Sequence, residues 1–252
     1  MVSDRIKTSE RTIFNRGYGR DDILPNRDLL DRMLADREDW IDCRLARLHS
    51  GMTVLDVGCG TGSTSINLAQ KGFQVTGVDI SNERISAAKS NAKDMNLEIK
   101  FIVGDVEEMA IANESFDLIS CSAILHHLPN LERDLDKFSK LMKEEGSIIA
   151  TEPGLLNPFA FIRRRFFPTS VHTPDEHPFI PFRLVRIFKK PFRRVEYKYF
   201  YILSLAAPIL EKIFGKQVGY ISLKCFKAVD SVLTKIPIIQ ELSWIINVHA
   251  QK

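Results

Sequence analysis

The stretch Val54-Leu-Asp-Val-Gly-Cys-Gly-Thr-Gly62 decides the fold. Val54 to Val57 is a short apolar run of strand length, and glycines at 58, 60 and 62 follow it at once. Glycines there let the backbone turn tightly and come close to a ligand. They also leave amide N–H groups free at a helix start, and a helix is expected from Ser63 to Gln70.

Working outward, the same alternation repeats. Gln74–Asp79 reads as a second strand, and Ser81 is placed to cap a helix over Asn82–Met95. Glu98–Val103, Phe116–Cys121 and Gly146–Thr151 read as strands three to five, with an amphipathic helix over Leu131–Lys143 before the fifth. Repeated βα units of this length imply an α/β, doubly wound, mostly parallel sheet with right-handed crossovers. Upstream, Asp28–Leu48 has a helical period. Downstream, six prolines between 153 and 181 predict a long irregular segment. Pro191–Phe200 and Leu242–His249 are expected as the last two of seven strands, around some forty apolar, helix-like residues. The expected organisation is a helical segment over 1–50, a ligand-binding core over 51–152, and a substrate side over 153–252 within the same domain.

Composition narrows the class. With 44% hydrophobic and 27% charged residues, the chain is neither disordered nor fibrous. Its four cysteines (Cys43, Cys59, Cys121, Cys225) form no CxxC pair, which argues for a reducing cytoplasm and against zinc. Residues 1–7 hold no apolar signal core, so a cytoplasmic protein is expected. The charge is uneven. Residues 1–150 carry 19 Lys and Arg against 25 Asp and Glu, a net −6, and residues 151–252 carry 16 against 7, a net +9. A basic second part suits an anionic partner or a membrane surface, or is a solvated basic face.

In an open parallel sheet, ligands bind beyond the carboxyl ends of the strands. The polar candidates fall there: Asp79 ends the second strand, Asp105 follows the third, and Ser120-Cys-Ser122 ends the fourth. The loop reads GxGxG, whereas a nicotinamide-binding loop reads GxGxxG. Asp56, two residues before the first glycine, would disfavour a dinucleotide pyrophosphate but not a sulfonium cofactor with a free ammonium. That tilts the reading toward S-adenosylmethionine and away from a nicotinamide oxidoreductase.

Four segments, in order, then carry a resemblance: Val54-Leu-Asp-Val-Gly-Cys-Gly-Thr-Gly62, Val75-Thr-Gly-Val-Asp-Ile-Ser81, Val103-Gly-Asp-Val106 and Phe116-Asp-Leu-Ile-Ser-Cys-Ser-Ala-Ile-Leu-His-His-Leu-Pro129. Residues 53–153 resemble the Rossmann-like core of class I S-adenosylmethionine-dependent methyltransferases, particularly the small-molecule branch that includes the ubiquinone- and menaquinone-biosynthesis enzymes. The resemblance implies that Asp56 and the loop Gly58, Cys59, Gly60, Thr61 and Gly62 hold the methionine moiety. It implies Asp79 on the ribose, Ile80 against the adenine, Asp105 accepting from the adenine amino group with the Val106 backbone beside it, and Ser122 closing the pocket near the methyl. As plain structure, Asp79 and Asp105 would instead be strand-end turn residues.

His126 and His127 follow the fourth strand, where an imidazole could remove a proton from the acceptor. His127 has an alternative role in loop shape. Glu152 ends the fifth strand and either faces substrate or is satisfied by a nearby amide. Residues 171–178 hold two histidines and two acids, but a proline-rich loop offers no regular ligand geometry, so no metal is expected; Glu176 or His177 could instead serve a substrate loop.

The acceptor is expected to be a small molecule, apolar or lipid-like. The apolar and basic stretches 159–167 and 199–214 are expected either to pack as an extra lobe or to form a lid resting on a membrane, with Arg163–Arg165 and Arg193–Arg194 meeting headgroups. The uncharged run 199–210 is too short to span a bilayer, which needs about 20 helical residues. A nucleic-acid or other anionic-substrate methyltransferase and a non-catalytic regulatory binder of the same cofactor are the competing readings. Nucleic acid is disfavoured because Ser120-Cys-Ser-Ala123 stands where an Asn/Asp-Pro-Pro-aromatic motif would.

Overall fold

A computed structural model of the chain describes residues 27–109, 112–166 and 179–252, the side chains of 163–166 excepted. The segment 171–178, the arginines at 163–165 as side chains and the residues before 27 therefore lie outside the described residues.

Helix α1 (Arg27–Leu45) leads into β1 (Thr53–Val57), α2 (Ser63–Gln70), β2 (Gln74–Asp79), α3 (Asn82–Asp94) and β3 (Lys100–Val103). There follow β4 (Phe116–Ser122), a 3₁₀ turn (Leu125–His127), α4 (Leu131–Leu141) and β5 (Met142–Pro153). The second part runs α5 (Pro158–Phe166), α6 (Pro181–Phe188), β6 (Arg194–Phe200), a 3₁₀ turn (Ser204–Ala206), α7 (Ala207–Phe214), α8 (Lys216–Leu233), another 3₁₀ turn (Ile239–Leu242) and β7 (Ile245–Gln251).

The seven strands are ordered β3-β2-β1-β4-β5-β7-β6. Strands β1 to β5 pair in parallel. Strand β7 is antiparallel to both β5 and β6, so β6 runs parallel to the first five. The order reverses between β1 and β4, which opens a crevice at their carboxyl ends. β1 is apolar nearly throughout because both faces of a parallel strand are covered, and Val54 to Val57 are all buried. One face packs on α4 and α6 through Leu135, Phe138, Leu184 and Phe188. The other packs on α1 and α2 through Leu45, Leu68 and Phe73. A separate cluster joins α1, α5 and α8 around Met33, Ala160 and Leu223.

Several boundaries depart from the sequence reading. The helix expected to Lys143 ends at Leu141, because Met142 pairs with Phe116 and begins β5 there. The stretch between 153 and 181 is not all irregular: α5 fills 158–166. Its signal was present in Asn157-Pro158. The Asn157 Oδ1 accepts from Ala160 N at 2.9 Å as a cap, and proline fits a first helical turn whose N–H needs no partner. Pro181 opens α6 in the same way. Ser81 does cap α3, its hydroxyl accepting from Arg84 N.

Candidate active site

The loop after β1 is built on three glycines with left-handed φ, at 65°, 53° and 85° for Gly58, Gly60 and Gly62. Two of them are also needed for space. A Cβ at Gly58 would stand 2.5 Å from Ile124 Cγ1, and one at Gly62 would press on Ala88 and Phe101. Gly60 differs: its missing Cβ faces open space, with only the Arg84 guanidinium 3.8 Å away. The cradle is therefore tight at both ends and open in the middle.

Asp79, at the end of β2, holds that middle. Its Oδ2 accepts from Gly60 N and its Oδ1 from Ser81 N, both at 2.9 Å. Each oxygen retains a further lone pair for a ligand hydroxyl. The end of β3 joins on, since Gly104 N donates to Asp79 O at 3.0 Å. Asp105 then closes a turn by accepting from Glu107 N, and Val106 is buried. Lys137, on α4, fastens this turn by donating to the carbonyls of Val106, Glu107 and Met109. Nothing in the spacing of Lys137 signalled that role.

Asp56 lies beneath the loop rather than open in it. Only 1% exposed, it accepts from Ser65 Oγ at 2.6 Å. Burial pushes its carboxyl up to about 6, against hydrogen bonds from Ser65 and Ser120. Burial likewise pushes the Cys59 thiol up, so Cys59 is a packing residue with no thiolate character at neutral pH.

On the other side of the crevice, Ser122 is exposed and Ala123 adopts a left-handed φ of 53°. This bend carries the chain into the turn that holds both histidines. Glu152, fully buried at the end of β5, organises that turn. Its Oε1 accepts from Ile124 N at 3.0 Å and Leu125 N at 2.8 Å, and its Oε2 lies 2.7 Å from His126 Nδ1. The reading of Glu152 as a carboxylate satisfied by nearby amides holds, and His126 is an added partner. The His127 ring stands 4.1 Å from that of His126, centroid to centroid. Gly58–Gly62, Asp79, Asp105, the Ser122–His127 turn and Glu152 thus form one continuous edge.

Two buried residues outside the expected set shape the far rim. Asn157 Nδ2 donates to the carbonyls of Tyr201, Ile202 and Leu242. Asp230, on α8, accepts from the N–H groups of Ile202, Leu203 and Ser204 and from the Ser204 hydroxyl. Both clamp the turn that follows β6, where Tyr201 has a left-handed φ of 63°. Single buried polar residues on apolar faces carry no spacing signal, so the sequence did not reveal them. Of the stretch 199–214, Tyr199 to Ile202 and Leu205 to Ala207 are core, which removes them from any surface contact; Ile213 and Phe214 are exposed.

Residues 48–175 match the model of the methyltransferase domain family. The chain belongs to that family. It is 34% identical over 115 residues to a ubiquinone biosynthesis O-methyltransferase of Azoarcus sp. (strain BH72), covering 44% of this chain and 48% of that one. It is 39% identical over 98 residues to the protein of that name from Coxiella burnetii (strain Dugway 5J108-111), covering 39% and 42%. The chain thus spans about half the length of the curated relatives it matches. Among solved structures, magnesium protoporphyrin IX methyltransferase from Synechocystis PCC 6803, with bound SAM, superposes with a TM-score of 0.57 at 17% identity over 98% of this chain and 97% of that one. That likeness is one of fold. The methyltransferase-domain match ends before α6, so the rest of this family member is described only by its own geometry.

Proposed function

We propose that the chain binds S-adenosylmethionine in the crevice between β1 and β4 and transfers its methyl group to a small acceptor, apolar or lipid-like. The observation that carries this reading is the cradle of Gly58–Gly62, open only at Gly60, with Asp79 holding the Gly60 amide and a second carboxylate, Asp56, buried nearby on Ser65. Negative charge at such a loop suits a cationic cofactor and opposes a pyrophosphate. When bound, S-adenosylmethionine supplies a methyl group activated by a positively charged sulfur.

The chain's own residues bind, orient and exclude water. Asp79 is assigned to the ribose hydroxyls and Ile80 to one face of the adenine. Asp105 and the Val106 backbone are assigned to the adenine edge. Gly58, Cys59, Gly60, Thr61 and Gly62 line the methionine end, with Ser122 across from them. Asp56, held by Ser65, acts through its charge and by shaping the loop. His126 is assigned as the base. An Nδ1–H donated to Glu152 leaves Nε2 with a lone pair for the acceptor's proton. His127 packs beside it and shapes the turn.

Residues 51–152 form the cofactor core in this reading, and 153–252 the substrate side of the same domain. The protein is cytoplasmic in this reading, and among the described residues no helix is long and apolar enough to cross a membrane. Among the described side chains of 159–167 and 199–214, the exposed large apolar ones available to a peripheral contact are Phe161, Ile162, Ile213 and Phe214.

The test is a melting comparison. S-adenosylhomocysteine at a hundredfold its Kd should add about 2.7 kcal/mol of stability, and NAD none. Stabilisation by NAD alone would reject the cofactor. Incubating extracted metabolites and lipids with methyl-labelled S-adenosylmethionine then identifies the acceptor, and no labelled product with a bound cofactor would reject the transfer.

A further inference from the structure

Helix α8 carries a feature that no step of the methyl transfer uses. Val218, Ile221, Cys225, Val229 and Val232 are all exposed, with Ile221 and Val232 at 58% and 59%. At 3.6 residues per turn they fall within about 80° of arc, a single straight stripe. The buried residues of the helix, Gly219, Leu223 and Asp230, lie on the opposite face. The stripe is therefore turned outward. Just before it in the chain, Ile213 and Phe214 at the close of α7 are exposed as well. At the other end stands Ile238, 84% exposed and held at a left-handed φ of 74° that a β-branched residue rarely adopts. An apolar run of this length in water marks a contact surface.

The charge beside it selects the occupant. Between 207 and 240 the exposed charged side chains are Lys212, Lys216, Lys224 and Lys235, while both acids of the segment, Glu211 and Asp230, are buried. Lys224 and Lys235 border the stripe along one side. Lys224 also lines an open groove of about 660 Å³ between α1 and α8, with Arg32, Lys227 and a single acid, Asp28. An apolar face whose exposed charges on its own segment are all cations fits the acyl boundary and anionic headgroups of a bilayer, the acids nearby being Asp28 and Asp36 of α1, paired with Arg32 and Lys227. A second copy packed with its α8 antiparallel fits poorly, because that twofold would set the lysine borders against one another.

We infer that the outer face of α8, from Ile213 to Ile238, docks the protein on an anionic membrane surface. The inner face of α8 meets the ligand edge, where Asp230 clamps the turn after β6 and Leu223 packs with Phe200, Tyr201 and Leu205. This inference stands whether or not the acceptor is a lipid; it extends onto the outer face of α8 the peripheral contact that the proposed function gives to Ile213 and Phe214.

Sedimentation with phosphatidylcholine vesicles carrying phosphatidylglycerol tests it. Binding should be at least tenfold stronger than to pure phosphatidylcholine and should weaken as salt rises. The variant Ile221→Gln with Val229→Gln and Val232→Gln should lose at least tenfold in binding, as should Lys224→Glu with Lys235→Glu. Both should keep the wild-type melting temperature and its rise with S-adenosylhomocysteine, which separates loss of docking from loss of the site. Equal binding by wild type and variants overturns the inference. So does wild type that ignores anionic vesicles, or a dimer in sedimentation velocity that the triple variant abolishes.

Discussion

His126 Nδ1 stands 2.7 Å from a carboxylate oxygen of Glu152, and both residues are buried. The pair turns a strand end into a device for setting a tautomer, because the other Glu152 oxygen is already engaged by two backbone N–H groups. Replacing Glu152 by Gln keeps an acceptor for those amides but presents an NH₂ group to Nδ1. The proton then moves to Nε2, and the base is lost. We expect Glu152→Gln and His126→Ala each to lower kcat by roughly 10²–10⁴ while leaving S-adenosylhomocysteine affinity intact. Steady-state rates with calorimetric affinities check this. An unchanged kcat in either returns the pair to a purely structural role.

Asp79→Ala removes the acceptor for Gly60 N and Ser81 N as well as the proposed ribose contact. Cofactor affinity should fall by roughly 1.5–3 kcal/mol, the scale for hydrogen bonds to a charged group. Titration calorimetry with S-adenosylhomocysteine reads the loss directly. Affinity equal to wild type would remove Asp79 from the site.

The loop glycines should separate by readout. Gly58→Ala brings a Cβ within 2.5 Å of Ile124 Cγ1 and forces alanine to φ 65°. It should destabilise the fold by about 1–3 kcal/mol, with part recovered by Ile124→Ala. Gly60→Ala meets only Arg84 at 3.8 Å, so its stability cost is the left-handed strain of about 1 kcal/mol. Its added methyl instead stands in the open part of the cradle, and cofactor binding should suffer far more than stability does. Denaturant melts and calorimetry on both variants decide.

Two buried groups pull stability in opposite directions with pH. Burial lowers His249 to about 4, so its contribution is full above pH 6.5 and is lost as pH falls toward 4. Burial raises Asp56 to about 6, so its contribution is full below 3.8 and is lost as pH rises through 6. At 1.36 kcal/mol per pH unit, each amounts to roughly 3 kcal/mol. The two should nearly cancel, leaving wild type flat between pH 4 and 6. Asp56→Asn should uncover stability that rises with pH over that window, and His249→Gln stability that falls. Parallel profiles for all three proteins would contradict the assignment.

Asp230→Asn leaves three backbone N–H groups and the Ser204 hydroxyl competing for one carbonyl oxygen. We expect a loss of about 2–4 kcal/mol in stability, with hydrogen exchange rising first in 202–206. Uniform exchange along the chain would show that the clamp is not local.

What the amino-acid order determined by itself was local and periodic. The apolar run 54–57, the GxGxG loop, the acids at 79 and 105 and the repeated βα spacing specify a doubly wound sheet and its ligand edge, because strand, turn and cap chemistry act over a few residues. Even α5 was legible in Asn157-Pro158. Tertiary structure decided what needs distant partners. Phe116, across the sheet, fixes where α4 ends. His126 gains a buried carboxylate partner only because Glu152 arrives from β5. Asp56 turns inward because Ser65 and the packing above it remove water. The stretch at 199–207 reads in sequence either as a packed lobe or as a lid and is core, whereas α8 turns an apolar stripe outward. Hydrophobicity states that a residue prefers to leave water; only the packing of α1 and α5 against α8 determines which face does.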